Sequence, residues 1–496
     1  MTPLTPADLA LNRHMFFLVH PFRGKLLLND GVMPVSVSNK WSPYTSRLSA
    51  AALAREMDDS FAFLPFVRPR IFAEMTEVER RFNGTDYSKA EQAIIDIACT
   101  FAHRSYARNL NATRLTLSSN HISAYAPSAA TIYRADGATF QVPLTCSWID
   151  VVLFPPSTGF LILKLETAGL TMQEAGQVHR SLKKVFFRER LRVRPAKIEF
   201  RDGHIDYWAN SIPRLLDSLL LDRDNLSHVQ TVGSSFRVLS AAMAHNLQDD
   251  GNIYGNIEGS YEGHLMALIT GEDLGGVAHP GVELMNLVRQ DGLIRYFENW
   301  AGLILWDDLA LLADVSPFAT KHLWHTIEAF YLPLYVLALF QQMRLQEIAG
   351  DLKAFRETSD LRQRHQLKTL QELNQELLEF RNRFWFAEIT RAPVLAALYA
   401  RFIKHFHVDE LYSGIESELE RLYTQERTMS QDRMSTLVSF VTFVALPVTF
   451  LLGIFGEVLK KYAPTDPKIA VLATLGVGVA SSFVWLAFTG RLTRRK

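Results

Sequence analysis

The chain has 496 residues, too many for a single hydrophobic core, so two or three folded units are expected. Its 52 Lys and Arg balance 52 Asp and Glu, which argues against the strong charge bias of a nucleic-acid-binding surface, and no nucleic-acid partner is expected. The two cysteines, Cys99 and Cys146, lack CxxC spacing; this argues against a disulfide framework or cysteine-built zinc site and fits a reducing compartment.

The opening residues have no basic segment followed by a long apolar core, so no cleaved signal is expected and membrane insertion falls to later segments. Residues 1–315 read as a mixed α/β domain. Strand-like runs occur at 15–19, 61–67, 149–154 and 160–165, the last two flanking the turn sequence Pro-Pro-Ser-Thr-Gly. A helical pattern follows over 172–186, with Thr171 as its N-cap. The glycine-rich 249–259 carries aspartates but not the alternating oxygen ligands and closing glutamate of an EF-hand, and reads as a solvated turn.

From Ser316 the character turns helical, and 316–406 is expected to be a helical region. Ser316 followed by Pro317 is an N-cap with proline at the first helical position, and this helix could extend to about 352. Its apolar stretch 330–340 is too short to cross a bilayer and reads as a buried helix. A further helix begins near Ser359 or Asp360, and a short one spans 392–405. Residues 407–434 then read as a stalk helix, with Val408, Leu411, Ile415, Leu419 and Leu422 spaced three or four apart. Continued into the following apolar run, this would be one helix of about 49 residues, roughly 73 Å long at 1.5 Å per residue. A single stripe on such a helix needs neighbours, most simply copies of itself around an axis.

Residues 434–456 and 469–490 contain no charged side chain, and each exceeds the roughly 20 apolar residues needed to span a bilayer. They are taken as two transmembrane helices, 435–456 and 469–490, joined by an external loop at 457–468 and followed by a tail at 491–496. The stalk flank carries Arg421, Arg427 and Arg433, and the tail Arg491, Arg494, Arg495 and Lys496; the loop has Lys460, Lys461 and Lys468. This balance favours the cytoplasm for both termini, hence an inner (cytoplasmic) membrane location.

In the first span Ser435, Ser439, Thr442, Leu446, Thr449, Gly453 and Gly456 follow steps of four and three, giving a face that is small or hydroxylated at all positions but Leu446. Such a face can permit close helix packing. It can equally line an axial ion path, with hydroxyls and exposed backbone replacing water and Glu457 at the far mouth. The residues alone leave both readings open.

Pro447, Thr449, Gly453, Phe455 and Gly456, placed at the end of a stalk helix and before a second C-terminal span, resemble the CorA family of divalent-cation channels. That family has a large cytoplasmic α/β domain, a stalk helix entering the first span, a short external loop and a basic tail. The resemblance covers 408–496 and departs at the family's G-M-N signature, where Glu457 and Val458 replace methionine and asparagine. It implies a homopentamer with the first spans around the axis, gated by its cytoplasmic domain and carrying divalent cations such as Mg2+, Zn2+ or Co2+. In that assembly Thr442, Thr449, Gly453 and Gly456 line the path, Leu446 forms a hydrophobic constriction and a ring of Glu457 carboxylates stands at the entrance. The family's regulatory metal sites match no particular residue here. Apart from the ion itself, no cofactor is expected.

No phosphate-binding loop, HExxH or GxSxG sequence is present, and nothing argues for an enzyme. His322 and His325, and His405 and His407, lack an obvious third metal ligand and read as polar surface. Asp307 and Asp308 read as a turn or cap. Two alternatives keep the architecture: a less selective pore opened by a ligand, for example a nucleotide, bound to the large soluble part, or a non-conducting membrane-anchored sensor.

Overall fold

The run His-Met-Phe-Phe-Leu-Val-His at 14–20 shows no polar–apolar alternation, the pattern of a strand covered on both faces. The computed structural model describes residues 9–24, 40–44, 62–64, 113–134, 137–154, 158–185, 194–218, 229–245, 261–271, 288–297, 299–358 and 363–440, with single positions at 55, 67, 286, 442, 449 and 453. In it this run forms the middle of β1 (Leu11–Gly24), and His14 to Phe22 are all buried. Phe16, Phe17 and Phe22 are fully buried, each contributing about 1.5–3 kcal/mol relative to exposure.

The remaining strands are β2 (Trp41–Pro43), β3 (Thr113–Leu117), β4 (Pro127–Tyr133), β5 (Thr139–Pro143), β6 (Thr145–Phe154), β7 (Thr158–Thr167), β8 (Lys197–Phe200), β9 (Ile205–Asp206), β10 (Val229–Thr231), β11 (Arg237–Ala244), β12 (Leu293–Phe297), β13 (Trp300–Leu305) and β14 (Asp308–Asp314). Among the described residues the main sheet has ten strands in the order β12-β13-β14-β11-β1-β7-β6-β3-β2, with β10 also pairing β1. Among the described pairs only β11 and β14 run parallel. A second sheet, β5-β4-β8-β9, contributes Ala130, Ile132, Val142, Ile198 and Phe200 to the same core.

Register fixes two faces. Phe16, Leu18, Ile149, Val151, Leu163, Leu165, Val238 and Leu312 share one, and are clustered with residues of α1 (Met172–Lys183), α2 (Trp208–Asp217) and α3 (Tyr261–Thr270). Helix α1 starts in a complete capping box: the Thr171 hydroxyl accepts from Glu174 N (3.2 Å), and the Glu174 carboxylate accepts from Thr171 N (3.1 Å). Arg180 and Lys183 occupy its last turn, where cations complement the helix dipole. It crosses α3 at Gly176, where an added Cβ would lie 2.1 Å from the Ala267 carbonyl oxygen. Gly271, at φ +63°, lies against the same spot and terminates α3.

The opposite face meets a long helix. Ser316 caps it, its hydroxyl accepting from Ala319 N (3.1 Å). Two π-helical turns, Ala319–Leu323 and Ile327–Tyr331, lead into α4 (Leu332–Thr358). Phe340 stacks on Phe154 (centroids 4.2 Å apart), and Glu328 accepts from Trp148 Nε1 (2.9 Å) and Lys164 Nζ (2.6 Å). The span Ala319–Arg356 is long and apolar enough to cross a membrane, but 78% of its most apolar stretch is buried inside the protein. The 330–340 run accordingly forms part of the core.

Three helices follow: α5 (Gln363–Phe384), α6 (Pro393–His405) and α7 (Val408–Phe440). Contacts group the chain into two units, 1–353 with 375–412, and 354–374 with 413–496.

Three expectations are corrected. Within 61–67 the described residues form a single bridge, Phe63 to Thr390, instead of a strand. Helix α1 ends at Lys183, because Lys184 and Val185 turn away to pair with Ser235 and Ser234. Asp307 lies in the β13–β14 turn, but Asp308 opens β14 as a buried residue. The segment 249–259 and the second span, 469–490, lie outside the described residues.

Candidate functional site

Helix α7 begins with Asp409 and Glu410 in its first turn, where carboxylates suit the helix N-terminus. Val408, Tyr412, Ile415 and Leu419 are buried at helical spacing, while Leu411 and Leu422 are half-buried. In the second unit, the Tyr423 hydroxyl donates to the Leu370 carbonyl (3.0 Å), and Glu418 receives Arg356 (3.3 Å) and Arg421 (2.7 Å).

Further along, the helix becomes bare. Residues 434–439 are all exposed, and Met434, Leu437 and Val438 show 60%, 59% and 59% of their surface. Apolar side chains of this size, contiguous and uncovered, mark a surface meant for lipid or another chain.

Of the six path residues, Thr442, Thr449 and Gly453 are described, and all three are exposed. The Thr442 hydroxyl donates to the Val438 carbonyl (2.7 Å), so its proton is held within the helix and its oxygen lone pairs remain outward. A Cβ added at Gly453 would meet nothing within 4 Å. Within one chain, this glycine is therefore not needed for a close helix contact among the described residues. Leu446, Gly456 and Glu457 lie outside the described residues. Threonine hydroxyls on a single helix hold no ion by themselves; they become a coordinating ring only when several copies converge on an axis.

The α/β unit holds a polar cluster that sequence reading missed. Asp308, 1% exposed, accepts from Val238 N (2.9 Å) and pairs with Lys183; His179 Nε2 lies 3.5 Å away. Burial alone would raise the Asp308 pKa, but the adjacent His179 and Lys183 bring it below the ordinary carboxylate value. His14, buried beside His179, is held well below the usual histidine value, first by burial and then by that neighbour. Asp308 and Lys183 are 125 positions apart in the chain, so no local spacing signals the pair. With Asp308 sealed from solvent, the cluster is suited to fastening α1 to β14 and not to acting on a substrate.

On the opposite face Asp150, fully buried, accepts from Arg114 (2.7 Å), whose guanidinium also lies over the rings of Tyr44 and Trp148. Cys146 is buried, which pushes its thiol up to about 12 and keeps it protonated and unreactive at neutral pH. His322 is exposed on its helix, stacked on Phe318, and His407 is exposed with φ at 53°. Among the described residues no three His, Cys, Asp or Glu side chains are placed to hold a metal ion.

No protein-family model matches the chain, and no curated protein matches it.

Proposed function

We propose that the chain is a membrane cation channel or transporter of the CorA type, assembled as a homopentamer and gated by its cytoplasmic α/β domain. The observation that carries this reading is helix α7. It runs unbroken from buried Val408 to a stretch of exposed Met434, Leu437 and Val438, and leads directly into the uncharged run. A helix with this change of surface suits a stalk that leaves a folded unit and enters a bilayer. In the proposed assembly Thr442, Thr449, Gly453 and Gly456 face the axis, Leu446 narrows it, and Glu457 forms the outer carboxylate ring. The soluble part and the tail lie in the cytoplasm, the hairpin in the inner membrane.

Glutamate in place of the family's asparagine attracts cations by charge instead of holding a hydrated ion through amide carbonyls. Divalent cations such as Mg2+, Zn2+ and Co2+ are the proposed cargo. The test is ion flux into liposomes holding the purified full-length protein, comparing Mg2+, Zn2+, K+ and Cl−. Divalent flux that falls in Glu457→Gln, with oligomer yield unchanged, is the expected result. No flux for any ion would overturn the transport reading, and unchanged flux in the variant would remove Glu457 from the path.

A further inference from the structure

Beyond the proposed pore, the α/β unit contains a cavity of about 500 Å³, within the range that accommodates small organic ligands. Val185, Pro195 and Ala209 give it an apolar wall, and four side chains bring chemistry to it: Tyr133 at the end of β4, Arg194 before β8, and Tyr207 and Asn210 at the start of α2.

These four form a pattern. The Arg194 guanidinium lies 5.7 Å from the centre of the Tyr133 ring and has no carboxylate partner among the described residues. Burial first, and the adjacent Tyr133 phenol second, raise the Tyr207 pKa; the two phenols share a hydrogen bond, which leaves one phenolic proton free for a ligand. Lys197 adds positive charge near Tyr207. Asp206, adjacent to Tyr207 in the chain, is already occupied: it accepts from Tyr207 N (2.7 Å) and from Asn210 Nδ2 (2.7 Å), and His204 lies 3.5 Å from it. That bond uses the Asn210 amide nitrogen and leaves its carbonyl oxygen as an acceptor. Among the described residues the cavity therefore offers a cation without a carboxylate partner, one phenolic donor, one amide acceptor and an aromatic ring beside an apolar wall.

We infer that this cavity binds a small organic anion carrying a planar ring, its negative group on Arg194 and its ring against Tyr133 and the apolar wall. A guanidinium favours planar or tetrahedral oxyanions, and a tyrosine face gives stacking area at little cost in side-chain entropy. This binding does not depend on whether the chain conducts ions.

The test is isothermal titration calorimetry of the full-length protein in detergent, using adenosine monophosphate, benzoate and inorganic phosphate as probes. At least one aromatic anion binds saturably, and inorganic phosphate binds about tenfold more weakly or not at all. Arg194→Gln weakens the aromatic anion by about tenfold, Tyr133→Leu weakens it as well, and Tyr133→Phe preserves it. Because a variant can misfold, the wild-type protein is also treated with phenylglyoxal: the bound anion protects Arg194 from modification, read by peptide mass spectrometry. The inference is overturned if neither aromatic anion saturates, if phosphate binds as tightly as they do, or if Arg194 is modified equally with and without ligand.

Discussion

Replacing Asp308 by alanine tests whether the buried cluster fastens the α/β unit. The substitution leaves Val238 N without its acceptor, a loss of about 1–3 kcal/mol for a buried donor. It also leaves Lys183, whose side chain is only 17% exposed, without its counter-charge. Breaking a buried pair by removing one partner costs about 3–5 kcal/mol in all. For a unit of this size each kcal/mol lowers Tm by about 2 °C, so a fall of about 6–10 °C is expected in the full chain, read by near-ultraviolet circular dichroism. Asp308→Asn keeps an acceptor for Val238 N and should lose less; adding Lys183→Met to it should recover part of the loss. The pH dependence has a definite sign. The folded carboxyl titrates below its unfolded value of about 4, so its contribution is complete above that value and is lost as pH falls through the folded pKa. The gap between wild type and Asp308→Ala should stay constant from about pH 7 to 5 and close in stronger acid. An alanine variant melting within about 2 °C of wild type at neutral pH would refute the fastening role.

Gly453→Leu should abolish flux or assembly in the proposed pore. Among the described residues a Cβ there meets nothing within 4 Å, so blocked flux in a variant that still folds and assembles would place Gly453 on the path. Wild-type flux would place Gly453 off the axis. Gly176→Ala should destabilise by about 1–3 kcal/mol, since its Cβ would press on the Ala267 carbonyl and force α1 from α3; an unchanged melting temperature would mean that the two helices separate freely. Thr171→Ala should cost about 1 kcal/mol by opening the capping box, whereas Thr171→Ser should be nearly neutral; equal losses in chemical denaturation would assign the effect to the threonine methyl instead.

Much of the sheet centre was legible because β1, β6 and β7 are apolar runs with clear turn residues, and Thr171 and Ser316 announce their helices by local chemistry. Other elements gave no periodic signal. Helix α3 is buried at every position from Tyr261 to Ile269 except Glu262, so an amphipathic stripe is absent. The β13–β14 turn uses Trp306 at φ 53°, a residue no turn rule selects, so adjacent Asp307 and Asp308 read as one turn when only the first belongs to it. The Asp308 cluster needs residues from α1, β11 and β14, and nothing in one window of sequence joins them. The path residues Thr442, Thr449 and Gly453 were named by their spacing.

The place of β1 in the middle of the main sheet has a consequence for synthesis. Its partner β7 is completed about 140 residues after it and β11 about 220 residues after it. At about 5–20 residues per second, the Met-Phe-Phe-Leu-Val segment waits about 10–40 seconds with one or both edges unpaired. Such a segment is prone to join a neighbouring nascent chain. Arg13 on one side, and Pro21 and Arg23 on the other, interrupt it at both ends. Their charge and missing amide hydrogen do not hinder its own sheet, and they shield the unfinished strand from strangers until its true neighbours have been made.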